Sequence, residues 1–250
     1  MSIDLTGTEY AYGDDPPGYT GGDFTIVLWF RLPATSSDFR HITRWCRAGG
    51  GTNEAVGMYK LNDKYRIDTS NGSGTQSSSN LSDDTWYGGY ITYTAETGGG
   101  GNGATACKLL TTIAGDWIAG FSTSNSSLSD QSATGDETYN LGCDLANGTN
   151  PWAIEYAMYK IFTSVLSEAD IKTELQYRNP QQTAWASHAF KSGALATDDS
   201  GNARSLTLVN TPAYLADEPS DILGDDPASG KGPLINGGLI NNGLINSGLT

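Results

Sequence analysis

The chain has 250 residues with 28 acidic and 14 basic side chains, a net charge of −14. That sign argues against a nucleic-acid surface, which needs a basic face to displace counterions, and against docking on anionic lipid. Gly, Thr, Ser and Asn account for 99 residues and charged residues for only 17%, a composition that suits many short strands joined by turns and not a helical bundle.

Met1 is followed by Ser-Ile-Asp-Leu-Thr, without the positive and apolar regions of a signal peptide. No run approaches the roughly 18 apolar residues of a membrane span. The expectation is synthesis in a cytoplasm. Cys46, Cys107 and Cys143 are sparse and widely spaced, and His41 and His188 are the only histidines. This fits no zinc pattern. The cysteines read as small buried hydrophobes, with one bridge as the alternative.

In chain order, the first strong element is Phe24-Thr-Ile-Val-Leu-Trp-Phe-Arg-Leu32. Phe24, Ile26, Leu28 and Phe30 fall on one face, and Val27 and Trp29 on the other, so the strand should be central. Pro33 ends it. Strands follow at 41–47, 56–59 and 64–68, with Leu61-Asn62-Asp63 as a turn. The stretch 69–82 reads as a loop. Then come a strand at 85–94, a flexible turn at 98–103, a hairpin of 107–113 with 117–121, a polar loop at 122–138, and strands at 139–144 and 152–162. One helix is signalled, 168–176. Ser167 is its N-cap, Leu166 and Ile171 occupy the staple positions, and Glu168 and Asp170 lie in the dipole-favoured first turn. Strands at about ten-residue spacing without βαβ alternation predict an all-β, antiparallel two-sheet sandwich.

Several segments resemble laminin-G-like and concanavalin A-like lectin-glucanase jelly rolls. Phe24–Leu32 resembles their early F-T-x-x-x-W strand. Asp84-Thr-Trp-Tyr87 resembles the entry to a central strand. Glu155–Ile171 resembles their last core strand followed by a short helix, with Asp170 where the family usually has Glu. Asp198-Asp-Ser-Gly-Asn202 with Leu206–Asn210 resembles a further family element, here placed after the helix, an arrangement that suits lectin-like proteins of bacteriophage particles. The resemblance implies a sandwich of 12 to 14 strands over 1–216. It does not decide function, because this fold hosts lectins, glycosidases and structural proteins.

Residues 217–232 are rich in Asp, Pro, Gly and Ser and read as a linker. Residues 233–250 repeat Leu234-Ile-Asn-Gly-Gly, Leu239-Ile-Asn-Asn-Gly and Leu244-Ile-Asn-Ser-Gly. Three five-residue units are too few to bury a core of their own. Leu234, Ile235, Leu239, Ile240, Leu244 and Ile245 are therefore read as an assembly tail that packs on other copies of the chain or on capsid or tail proteins; a sticky tail without structure is the alternative.

Catalysis is not expected. Glucanases of this fold carry E-x-D-x-x-E on one strand, so that alternate carboxylates flank a glycosidic bond. The nearest match here, Glu168, Asp170 and Glu174, falls on the predicted helix, and Glu155 is alone on its strand. Sugar sites instead combine an aromatic platform with Asp, Asn and backbone groups. Trp29, Trp86 and Trp152 sit at core positions. Trp117 with Asp116, and Tyr12 and Tyr19 around Gly13–Gly18, are the candidate contacts for cell-surface glycans. Asp198, Asp199 and Asn202 cluster oxygen ligands in a turn that calcium would accept, though the same residues are good turn chemistry. The functional expectation is a non-catalytic, multi-copy virion surface protein, a capsid decoration or head/tail component, with a lectin-like domain. A dedicated carbohydrate-binding adhesin is the alternative, and a glycoside hydrolase the remote one.

Overall fold

The computed structural model describes residues 2–14, 16, 22–34, 39–47, 54–61, 64–69, 75–95, 102–127, 137–143, 151–191 and 197–223. They form a jelly-roll sandwich of two antiparallel sheets and one helix. Their strands are β1 (Ser2–Thr6), β2 (Tyr10–Asp14), β3 (Phe24–Arg31), β4 (Phe39–Arg47), β5 (Glu54–Leu61), β6 (Lys64–Thr69), β7 (Thr75–Asn80), β8 (Trp86–Ala95), β9 (Asn102–Leu110), β10 (Ala119–Ser127), β11 (Glu137–Leu141) and β12 (Ala153–Phe162). The helix α1 (Glu168–Gln176) follows, then the short strands β13 (Ala186–His188), β14 (Thr207–Val209) and β15 (Ala213–Leu215). The first sheet runs β10-β9-β8-β3-β12-β1-β15, with β13 also paired to β12; the second runs β14-β2-β11-β4-β5-β6-β7.

The alternation in β3 builds the interior. Phe24, Ile26, Leu28 and Phe30 point between the sheets, where they meet Trp45, Met58, Tyr139 and Tyr159. Val27 and Trp29 face outward into a second apolar cluster with Tyr90, Leu110, Met158 and Phe162, closed over by Ile171 and Leu175 of α1. Trp29 therefore has a helix on its far side, and its Nε1 donates to the Leu175 carbonyl at 2.9 Å. This second layer explains why the strand is apolar on both faces. The three cysteines are buried thiols.

Several elements differ from the sequence expectation. Strands β1, β2 and β7 had no counterpart, β9 starts at Asn102 inside the expected turn, and β10 extends into the expected polar loop. β7 (TQSSSN) and β10 lie at the ends of their sheets. An end strand satisfies its backbone on one side and needs no apolar face, so its side chains carry no alternation to read. The linker expectation also changes at its start. Asp217 pairs with Arg31 and Glu218 with Arg178. Asp221 accepts from the Ile113 amide at 2.5 Å, and Leu223 N donates to the Gln176 carbonyl at 2.8 Å. Residues 217–223 are thus a strap on the first sheet, because each acid finds a donor there. The rest of the linker and the Leu-Ile-Asn repeat lie outside the described residues.

Gly13 on β2 lies beneath the Tyr139 ring of β11, and a Cβ at this position would come within 2.2 Å of that ring. Tyr139 is fully buried and cannot swing away. Gly13→Ala should therefore cost about 1–3 kcal/mol of stability by overpacking, read as a lowered denaturant midpoint; an unchanged midpoint would show that the ring can yield.

Candidate functional site

The backbone just after α1 is shaped from below. Lys160 of β12 and Glu174 of α1 are both fully buried and form an ion pair at 2.8 Å. The ammonium also donates to the carbonyls of Glu174 (2.7 Å) and Tyr177 (2.6 Å), with Asn179 O at 3.4 Å. The first two belong to the last turn of the helix and its C-cap, so a lysine from the sheet supplies the donors that helix carbonyls lack at their end. Tyr177 is extended (φ −117°, ψ 139°), so the chain leaves the helix without the left-handed residue that commonly ends one. The other Glu174 oxygen accepts from the amides of Gln181 (2.8 Å) and Gln182 (2.6 Å). Burial pulls the Lys160 ammonium down to about 8, with Glu174 opposing the shift.

Above this support opens a groove of about 650 Å³, lined by Asn179, Gln181, Gln182, Thr183, Lys191 and Asp199 among others. Amides, hydroxyls and one ion pair line it beside Pro180 and Ala184. Lys191 Nζ lies 2.8 Å from Asn179 Oδ1 and 3.5 Å from Asp199 Oδ1. The groove thus offers donors and acceptors on a backbone that is already fixed, the arrangement that recognises hydroxyl-rich ligands.

The residues singled out from the sequence are scattered. Only Asp199 lines the groove. Asp198, beside it, takes two donors on each carboxylate oxygen: the amides of Ser187, Ser200 and Arg204 at 2.9 Å and the Ser200 hydroxyl at 2.8 Å. Burial raises its carboxyl and these donors outweigh the burial, so it is held below the usual carboxylate value. Asn202 donates to the carbonyls of Ala184 (2.9 Å) and Trp185 (3.1 Å). The lone pairs a cation would need on Asp198 thus already hold the turn together. Among the described residues no group of three or more His, Cys, Asp or Glu side chains is placed to hold a metal ion.

Trp117 lies on the other side of α1. Its ring meets Tyr90 edge-on at 5.0 Å, and the Lys172 ammonium sits 5.6 Å from its centre. Its indole is half-buried against the second apolar cluster, so the ring joins helix to sheet rather than standing open as a platform. Asp116 beside it is exposed. Tyr12 is on the outer face of the second sheet, in a cross-strand row with Asn140 and Arg44, and stacks on Tyr10 at 6.4 Å. Tyr19 lies outside the described residues.

Sequence reasoning missed the groove itself. The signal was present in Arg178-Asn-Pro-Gln-Gln-Thr183, a polar stretch directly after a helix. It also read Glu174 only as an acid of the predicted helix, whereas that side chain is fully buried. Glu155 is the one acid on β12, as expected; across the strands its carboxylate binds Arg31 at 2.6 Å, and Asp4 lies opposite it on β1.

No protein-family model matches this sequence. No curated protein matches it either. Among solved structures, the chain is similar to a candidate carbohydrate-binding protein from Bacteroides ovatus. The identity is 13%, the match covers 85% of this chain and 61% of that one, and the TM-score is 0.57. It is more loosely similar to the CBM40 module of the Ruminococcus gnavus IT-sialidase, at 14% identity over 69% of this chain and 95% of that one, TM-score 0.48. A region of the laminin α2 chain, LG1–3, matches at 14% identity over 64% of this chain and 30% of that one, TM-score 0.47. Likeness at these identities is a likeness of fold, and only the first superposition is close enough to carry it. The chain spans about three-fifths of the B. ovatus protein's length.

Proposed function

We propose that this chain is a non-catalytic glycan-binding jelly roll whose contact site is the groove between the loop after α1 and the turn holding Asp199. The observation that carries the reading is the groove's construction: hydrogen-bonding side chains at Asn179, Gln181, Gln182, Thr183 and Asp199, set on backbone held by the buried Lys160–Glu174 pair. The fold shared with the B. ovatus protein agrees with it. The acids of the helix speak for binding rather than hydrolysis. Glu168 takes Lys108 and Tyr90, Asp170 takes the Ser167 hydroxyl, and Glu174 takes Lys160. None is left facing another carboxylate across a cleft, as hydrolysis of a glycosidic bond requires. With no aromatic side chain among the described residues of its lining, the groove should bind one sugar weakly and gain strength from repeated copies. On a glycan array the wild type should bind in multivalent format. Gln182→Ala should weaken binding by about 3–10-fold, the worth of one hydrogen bond. No signal in any format would dismiss the reading.

A second reading places this module on a virion surface. It is supported by the acidic composition and by the Leu-Ile-Asn repeat, whose regular apolar pairs cannot bury themselves. Removing residues 233–250 should leave the sandwich folded, with an unchanged melting profile, and abolish particle attachment or self-assembly. Attachment that survives the truncation would refute the role of the tail.

A further inference from the structure

The charge at the groove carries the glycan reading one step further, and the inference rests on that reading. Lys191 is the cation among the described residues of the groove lining, and it lies between Asn179 Oδ1 and Asp199 Oδ1. Asp199 is itself fixed, because its second oxygen accepts from the Ala189 amide at 3.3 Å. Both side chains are partly open, at 29% for Lys191 and 21% for Asp199, so a ligand in the groove meets the pair and not a lone ammonium. The neighbouring Asp198 carboxylate is held ionised by its donors. Among the described residues of the lining, the Asp199 carboxylate thus stands against the ammonium, on a chain that is already strongly negative. The other nearby cations are engaged elsewhere. Lys160 is buried beneath the groove with Glu174, Arg178 is bound to Glu218 and to the Ala157 and Ala189 carbonyls, and Arg204 lies flat on Trp185 at 3.8 Å.

We propose that Asp199 sets the selectivity of the groove: by cancelling the charge of Lys191 it admits neutral glycans and turns acidic ones away. An anionic sugar would have to displace Asp199 from Lys191 and would then face the carboxylate it had displaced. A neutral sugar can share hydrogen bonds with the pair as it stands. Selectivity of this kind comes from a repulsive element and not from tighter contacts to the favoured ligand.

The test is an array of matched pairs, each a neutral oligosaccharide beside its sialylated, sulfated or uronic derivative. The wild type should bind the neutral member about fivefold or more better. Asp199→Asn keeps the size and the acceptor for the Ala189 amide but removes the charge. It should close or reverse that gap at low salt, and the recovered binding to the acidic member should fade as salt is raised. Lys191→Gln in the Asp199→Asn background should remove the recovered binding. A wild type that prefers the acidic members, or an Asp199→Asn variant with an unchanged ratio, overturns the inference while leaving glycan binding intact. A blank array for wild type and variants overturns the glycan reading and the inference with it.

Discussion

Replacing Lys160 by methionine should destabilise the sandwich by about 3–5 kcal/mol, the cost of leaving one member of a buried ion pair alone. The partners explain the size. The variant would leave the Glu174 carboxylate fully buried without its cation, and the carbonyls of Glu174 and Tyr177 without a donor. The double variant Lys160→Met/Glu174→Leu should recover part of the loss, because an apolar pair of similar volume removes the stranded charge. It should not recover all of it. The Gln181 and Gln182 amides would still lack their acceptor, a residual of about 0.5–1.5 kcal/mol for each hydrogen bond lost beside the open groove. Denaturant unfolding of the two single variants and the double variant closes the cycle. A double variant no better than Lys160→Met would show that the amides, and not the ion pair, dominate.

Acidification should destabilise the protein through His188. This imidazole is fully buried on β13. Its Nδ1 is 3.2 Å from the Thr197 carbonyl and its Nε2 is 2.8 Å from the Tyr139 hydroxyl. A carbonyl can only accept, so Nδ1 carries the proton and Nε2 accepts from Tyr139; the ring is neutral. Burial draws it down to about 4 against an ordinary value of 6.5, with the Thr197 carbonyl, Asp198 and Asp199 opposing the shift. Below about pH 6.5 the unfolded chain takes up a proton at this position and the folded chain does not. Stability is therefore lost as the pH falls from 6.5 to 4, by roughly 3 kcal/mol. His188→Gln preserves an acceptor and a donor without a titratable ring, and its stability should fall less steeply over the same range. Equal slopes for variant and wild type would remove His188 as the cause.

Both groups were visible in the sequence, and neither could be given its role there. Lys160 sits in an otherwise apolar strand and Glu174 on a helix that begins with two acids. Read locally, one is a strand residue with a long stem and the other a solvated helix position. What pairs them is the docking of α1 on the outer face of β3 and β12, which places positions 14 residues apart within 2.8 Å. His188 was likewise legible as a packed strand residue, but its depth depends on Tyr139, which lies 49 positions earlier and on the other sheet.

The sequence alone determined the class of fold and the parts of it that obey local rules. Alternation in Phe24–Leu32 fixed which side chains share a face. The capping residue Ser167 and the acids after it delimited the helix at Glu168–Gln176, where the structure has it. These features are set by neighbours within a few residues, so they survive without knowledge of the rest. The tertiary structure alone decided where ligand-facing chemistry gathers. It turned Trp117 into packing, bound Asp198 to its own turn, and brought the loop after α1 to the turn holding Asp199. Side-chain types state what a residue can do, but whether it faces a groove or a neighbour depends on long-range packing that no local pattern encodes.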